Sequence, residues 1–342
     1  MNIITIDSGT TNSRCYLWRD GVLLGQAGVE VGVRDSAISG SKDALKHAVR
    51  DIIKLTLAQA GLEAADVGLV LASGMITSNL GLVEVPHLTA PVGLAELARG
   101  MVRMEMPEVC ARPIWFIPGV RNQNHKVSLL NHEAMDMMRG EETETIGLLQ
   151  RLELNGHAML VLPGSHTKLV SVDQAQRITG CATTLSGELL QAITQHTLIS
   201  QALGAEFARE LRPEMLLAGA ATAQRTGLAR ACFSVRTLAQ FTDLQHDDRA
   251  SFLLGAVLSD DVLTLKNSSA IQMRPDTTIV VCGKPMLRDA LALLIEDNGF
   301  FYGRRIVATD AQQAGLSGAG AMAVAAARGL VPAAPAVAPA VA

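Results

Sequence analysis

The chain has 342 residues, 49% of them hydrophobic and 3% aromatic, with 30 glycines and 29 Lys plus Arg against 33 Asp plus Glu, a formal charge of -4. Length and apolar content exclude a largely disordered chain, favour two domains over one, and suit an α/β enzyme with a core of Ala, Leu, Val and Ile. No basic block with interspersed aromatics is present, and no signal-length apolar stretch follows a basic N-terminus, so neither a nucleic acid nor a membrane partner is expected and the cytoplasm is the expected compartment.

In chain order, NIITID and SRCYLWR read as strands, and Asp20-Gly21 turns the second into VLLGQAGV, so three antiparallel strands open the chain. A helix is predicted from about Ser41, as N-cap, to Ala60, with Leu45, Val49, Ile52, Ile53 and Leu57 at helical spacing. VGLVLAS is a buried strand ending at Gly74. A long loop containing Asn79, Glu84 and His87 follows, then a helix near Leu94 to Arg103 and the strand and turn RPIWFIPGV. The change from strand-rich sequence to a loop and a helix around Asn131 to Met138 puts a domain boundary at about 115–130, dividing 1–120 from 121–330.

Beyond it, HAMLVLPG reads as a strand and SHTKLVSVDQAQRITGCAT as a hairpin about Asp173 and Gln174. Helices are predicted from about Gly187 to Gln201 and in DRASFLLGAVLSDDVL. TTIVVCG is a buried strand, and PMLRDALALLIEDNG a helix with Pro285 near its start. Residues 331–342, Pro and Ala without apolar periodicity, read as a disordered end. Cys15, Cys110, Cys181, Cys232 and Cys282 are scattered without CxxC spacing and read as small core residues. His246, Asp247 and Asp248 are adjacent and do not converge on one metal, so they read as a surface loop.

Two strands open into Gly-rich polar turns: DSGTTNSR after the first and PGSHTKL after HAMLVL. Gly9 and Gly164 let the backbone approach an anion, and Thr10, Thr11, Ser165 and Thr167 with their N–H groups donate to phosphate oxygens. Asp7 reads either as a charge holding hydrated Mg²⁺ against phosphates or as a strand-end cap, and Lys168 either as a phosphate contact or as an exposed strand lysine. CGKPM is not a P-loop, because Pro stands where Ser or Thr is needed, and GAGAMA lies in an Ala-rich helical segment without the strand a dinucleotide fingerprint requires. In RGEETE, Glu141, Glu142 and Glu144 open a helix. Either they are a solvated acidic first turn, or one of them accepts a proton from a substrate hydroxyl attacking the terminal phosphate of ATP. Arg14, Asn79 and Arg121 lie in or beside turns. They read either as contacts to an anionic, hydroxylated substrate or as ordinary turn salt bridges and a loop cap.

The ordered set DSGTTNSR, ASGMITSN, MRGEET, LPGSHTK, TLSGEL and VVCGKPML resembles the 2-dehydro-3-deoxygalactonokinase family of the sugar kinase, Hsp70 and actin ATPase superfamily. The resemblance implies an α/β fold of two ribonuclease H-like, actin-like ATPase domains with an ATP and Mg²⁺ cleft between them and a sugar-acid substrate on the first-domain side. It implies Asp7, Thr10 and Thr11 as metal and phosphate residues, Gly164, Ser165, Thr167 and Lys168 as the second phosphate motif, and Gly283 as the adenosine turn. It places Glu141 in the register of the catalytic base, with Glu142 as its neighbour in contention. The activity implied is phosphorylation of 2-dehydro-3-deoxy-D-galactonate at O6; a kinase for another sugar or sugar acid and a noncatalytic sugar sensor on the same fold are the alternatives, and a homodimer is the default assembly.

Overall fold

Asp20 and Gly21 both take positive φ, 51° and 80°, the conformation a two-residue hairpin turn requires. They join the second and third strands of the opening antiparallel meander. The computed structural model describes residues 1–123, 126–152, 154–204, 207–309 and 313–332. Its first half runs β1 (Asn2–Ser8), β2 (Ser13–Arg19), β3 (Val22–Val29), α1 (Val33–Ser39), α2 (Asp43–Gln59), β4 (Val67–Gly74), β5 (Leu88–Thr89), α3 (Leu94–Gly100), β6 (Val102–Met104), β7 (Ile114–Phe116), β8 (Val120–Arg121) and β9 (Met137–Met138). Its second half runs α4 (Glu141–Leu152), β10 (Ala158–Leu162), β11 (Thr167–Val172), β12 (Ile178–Thr184), α5 (Ser186–His196), α6 (Ser200–Leu203), α7 (Pro213–Thr226), α8 (Leu228–Phe241), α9 (His246–Asn267), β13 (Thr278–Cys282), α10 (Pro285–Asp297), β14 (Ile306–Thr309) and α11 (Gln313–Ala327).

Two sheets dominate, with orders β3-β2-β1-β4-β7-β6 and β12-β11-β10-β13-β14. Each begins as an antiparallel meander and continues through a parallel neighbour of its first strand, β4 beside β1 and β13 beside β10. The α/β class follows from that repeated plan. Because each sheet is covered on both faces, its inner strands place apolar residues on both sides rather than on one, as in AMLVL of β10 and IVVC of β13. The side chains still alternate between cores. Ile4 and Ile6 of β1 pack with α2 residues Val49 and Ile53, whereas Ile3 packs in a cluster shared with Leu160 of β10 and Val280 of β13. On β10, Met159 and Val161 face a third cluster built with α5, α7, α9 and α10. The shared middle cluster includes Ile146 of α4 and Val324 of α11. These helices meet at backbone distance, since a Cβ on Gly320 would lie 1.8 Å from the Thr143 carbonyl oxygen.

Several boundaries differ from those expected. The helix expected from Ser41 starts at Asp43, and Ser41 caps it from one position earlier, its Oγ accepting the Asp43 N–H at 3.1 Å. Arg103 lies in β6 rather than in the preceding helix. The helix expected around Asn131 to Met138 is a single 3-10 turn, His132–Ala134, followed by β9, and the helix expected to reach Gln201 breaks after His196. His246, Asp247 and Asp248 form the first turn of α9 rather than a loop: Asp248 accepts the Gln245 N–H at 2.8 Å, a capping contact that also suits the helix dipole. The five cysteines are buried as expected, and burial pushes the Cys15 thiol up to about 12. Residues 333–342 of the expected tail lie outside the described residues. Among the described residues, no helix is long and apolar enough to cross a membrane.

Candidate active site

The first Gly-rich turn follows β1 and is closed by the Gly9 N–H donating to the Asn12 carbonyl at 2.8 Å. The start of α1 packs against it, and the Val33 and Arg34 N–H groups donate to the Gly9 and Thr10 carbonyls at 3.3 and 2.9 Å. In a trans peptide the N–H points opposite to the C=O, so these two bonds turn the Thr10 and Thr11 N–H groups away from α1. Gly32 is what allows the approach, since a Cβ there would lie 2.5 Å from the Thr10 oxygen.

The second turn, after β10, is held the same way by α5. The Glu188 N–H donates to the Ser165 carbonyl at 2.9 Å, which directs the His166 N–H away from α5. A Cβ on Gly187 would lie 2.0 Å from the Gly164 oxygen.

Both turns line one cavity of about 610 Å³, a volume suited to a nucleotide-sized ligand. Its lining includes Asp7, Gly9, Arg14, Glu141 and Glu144, Gly164, Ser165 and Lys168, and Leu190, Gln191, Thr194, Phe207, Met286 and Leu287. Asp7, the last residue but one of β1, lies directly across the hairpin from Arg14. Beneath it two glycines with positive φ touch. A Cβ on Gly74 would lie 3.1 Å from Asp7 Oδ1, and one on Gly140 would lie 3.3 Å from the Gly74 Cα. A side chain at Gly74 would also fall 2.5 Å from the Ser8 carbonyl oxygen, so it would disturb the end of β1 that carries the acid.

Burial raises the Asp7 carboxyl to about 6, with the Arg14 guanidinium opposing the shift and Glu141 adding to it. Burial also raises Glu144 to about 8, reinforced by repulsion from Asp7 and Glu141. Glu142 turns inward. It is fully buried, both its carboxylate oxygens accept the Gly140 N–H at 3.0 and 2.9 Å, and burial lifts its pKa well above the ordinary range. Glu141 therefore faces the cavity and Glu142 does not.

Lys168 is not an exposed strand lysine. At 5% exposure it lines the cavity with its Nζ donating to the Met137 carbonyl at 2.9 Å and to Thr183 Oγ1. Of the remaining expected residues, Arg14 and Ser165 reach the cavity. Thr10 is exposed, Thr11 Oγ1 accepts from Asn12 Nδ2 at 2.8 Å, and neither residue is among the cavity lining. The Thr167 hydroxyl pairs with Ser186 Oγ at 2.9 Å instead of entering the cavity. Gly283 is buried against Pro163, and Lys284, Met286 and Leu287 just after it form the wall. Asn79 and Arg121 are exposed and outside the cavity lining; Arg121 Nε donates to Thr89 Oγ1 at 3.1 Å rather than making a turn salt bridge.

Arg139 was not among the residues singled out from sequence. Its guanidinium donates to the Thr77 carbonyl, Thr77 Oγ1 and the Val85 carbonyl at 2.8, 2.7 and 2.8 Å, and contacts His87 Nδ1 at 3.3 Å. It thus ties the loop after β4 to the start of α4. Burial and the Arg139 charge hold the His87 pKa down at about 4, so the ring is neutral and its Nδ1 accepts.

Residues 7–319 match the family described as 2-keto-3-deoxy-galactonokinase. The chain belongs to this family. It sits within the sugar kinase and actin-type ATPase superfamily. It is 30% identical over 198 residues to the 2-dehydro-3-deoxygalactonokinase DgoK1 of Rhizobium meliloti (strain 1021), an alignment covering 58% of each chain. The fold is similar to a crystal structure of a 2-dehydro-3-deoxygalactonokinase protein from Sinorhizobium meliloti, with TM-score 0.72, 22% identity, and coverage of 95% of this chain and 98% of that one. Among the described residues, no cluster of three or more His, Cys, Asp or Glu side chains is arranged to hold a metal ion.

Proposed function

We propose that this chain transfers the terminal phosphoryl group of ATP to O6 of 2-dehydro-3-deoxy-D-galactonate, giving ADP and the 6-phospho sugar acid. The observation that carries this reading is the pair of helix-backed glycine turns lining one cavity together with the carboxylates of Asp7 and Glu141. In this reading residues 1–120 and 121–330 are two domains and the cavity is the nucleotide cleft between them. Bound Mg²⁺-ATP supplies the transferable phosphoryl group and a cation that neutralises charge on it.

The residues present fit that ligand. The turn N–H groups suit phosphate oxygens. The apolar wall of Leu190, Phe207, Met286 and Leu287 suits a nucleoside base. A single acid at Asp7, without a preformed cage, suits a cation that arrives on the phosphate chain and keeps much of its water. Glu141 is the base. It lines the cavity, whereas Glu142 is sealed inside and Glu144 holds its proton at neutral pH. As the substrate oxygen bonds to phosphorus and the bond to ADP breaks, Glu141 takes the hydroxyl proton. Arg14 anchors the substrate carboxylate, and Lys168, with two of its three N–H groups already committed, offers the third to phosphate.

A coupled ADP assay with and without Mg²⁺, comparing the galactonate-derived acid with its 4-epimer, tests the proposal when followed by locating phosphate on the product. Equal or better turnover of the epimer, or phosphate on another oxygen, overturns the specificity. Tight sugar-acid binding with no ADP formed overturns the kinase reading.

A further inference from the structure

Asp261 of α9 is 1% exposed, and no ion pair to it is found among the described residues. A carboxylate taken out of water without a cation loses several kcal/mol of solvation that other contacts must offset. Here the offset comes from hydroxyls. Thr184, ending β12, donates to Oδ1, and Ser186, opening α5, donates to Oδ2 at 2.8 Å. Ser186 Oγ, its hydrogen given to Asp261, accepts from Thr167 Oγ1 at 2.9 Å and lies 3.1 Å from Thr184 Oγ1. Three chain segments from two strands and a helix are therefore tied to one acid.

The segments are those that flank the second glycine turn. Thr167 is the residue after His166, at the exit of the turn. Ser186 is followed by Gly187, which lies against Gly164, and by Glu188, whose N–H holds the Ser165 carbonyl. A shift of Ser186 thus reaches the turn within two residues. We infer that Asp261 is a positioning residue for the turn at residues 163–166, acting through Ser186 and Thr167 to set the direction of the turn's N–H groups. This deepens the reading of that turn as a phosphate site and rests on it for its kinetic consequence.

The test uses Asp261→Asn and Ser186→Ala in the full chain, with two readouts. In steady-state kinetics each variant is expected to raise KM for ATP about 10-fold while leaving KM for the sugar acid within about 2-fold, and the double variant is expected to be no worse than the worse single one. Amide hydrogen exchange without nucleotide is expected to speed up at 163–168 and 186–188 and stay unchanged at 7–11. Unchanged exchange at 163–168, equal acceleration at both turns, additive effects, or parallel rises of both KM values overturn the inference, since a merely structural role would loosen the molecule as a whole. Should the wild type form no ADP, the kinase reading fails, and the exchange pattern still decides whether Asp261 sets the turn. If Asp261→Asn does not fold, Ser186→Ala carries both readouts alone.

Discussion

The Arg34 N–H donates to the Thr10 carbonyl at 2.9 Å, and in the other half of the molecule the Glu188 N–H donates to the Ser165 carbonyl at the same distance. Each Gly-rich turn is thus oriented by a helix start that takes up its carbonyls and leaves its amides facing elsewhere. The glycines that permit this contact are Gly32 and Gly187. Gly187→Ala is informative because it sits in the first turn of α5, where Ala favours the helix by up to about 1 kcal/mol, yet its Cβ would fall 2.0 Å from the Gly164 oxygen. The clash is with backbone and dominates. Both Gly32→Ala and Gly187→Ala are expected to lower kcat/KM for ATP by about 10-fold or more. Kinetics within 2-fold of wild type, at about the precision of such a comparison, would show that the turns tolerate displacement.

The base assignment separates two adjacent acids. Glu141→Gln is expected to cut kcat by about 10²- to 10⁴-fold with ATP binding intact. Glu142→Gln keeps an acceptor for the Gly140 N–H and, because Glu142 is buried with a raised pKa, removes little charge, so its kcat is expected within about 10-fold of wild type. The reverse pattern would move the base to Glu142 and require α4 to rotate in the working enzyme.

Much of the frame was legible because strands buried on both faces are continuous apolar runs, and Gly, Ser and Thr between them mark the turns where a ligand approaches. The orientation of the acids was also encoded, though less visibly. On a helix, Glu141 and Glu144, three residues apart, share a face and Glu142 lies about 100° away, which is how the cavity receives the first two and the core the third. Other features depended on tertiary contacts. GVRDSAIS has little apolar periodicity, and α1 forms on a cap, Asp35 accepting the Gly32 N–H at 2.9 Å, plus docking on the first turn. For Lys168 the sequence leaves a phosphate contact and an exposed strand lysine both open, and only the acceptors supplied by β9 and β12 show it buried. Val102, Arg103 and Met104 leave the helical pattern because pairing with β7 offers their backbone a strand partner.

The cavity acids set a pH dependence of stability. Glu144 ionises near 4.5 in the unfolded chain and near 8 in the folded one, so between those values the folded state keeps a proton that the unfolded state has released. Stability contributed by this site therefore falls as pH rises through that window, and Asp7 adds the same sign between 3.8 and about 6. Glu144→Gln removes the larger penalty. It is expected to stabilise the nucleotide-free protein by on the order of 2 kcal/mol at about pH 8.5 and by nothing at about pH 4. Urea unfolding at the two pH values measures it, and a gain equal at both would mean that the charge of Glu144 is not what burial strains.

Two of the cations lining the cavity, Arg14 and Lys168, make a crossed test of which ligand each one holds. Arg14 stands opposite Asp7 on the β1 and β2 hairpin and lines the cavity as Glu141 does, where the substrate is expected. Lys168 lies on β11 next to the second turn, where phosphate is expected. Removing a charge-assisted contact from a bound anion typically weakens it by about 1.5–3 kcal/mol, or roughly 10- to 100-fold. Arg14→Met is therefore expected to raise KM for the sugar acid by that factor with little change for ATP. Lys168→Met is expected to do the opposite, and it also frees the Met137 carbonyl and Thr183 hydroxyl, so Lys168→Arg serves as the variant that keeps the charge. A rise in KM for the sugar acid alone in Lys168→Met would assign this lysine to the substrate carboxylate and place the sugar acid deeper between the two sheets.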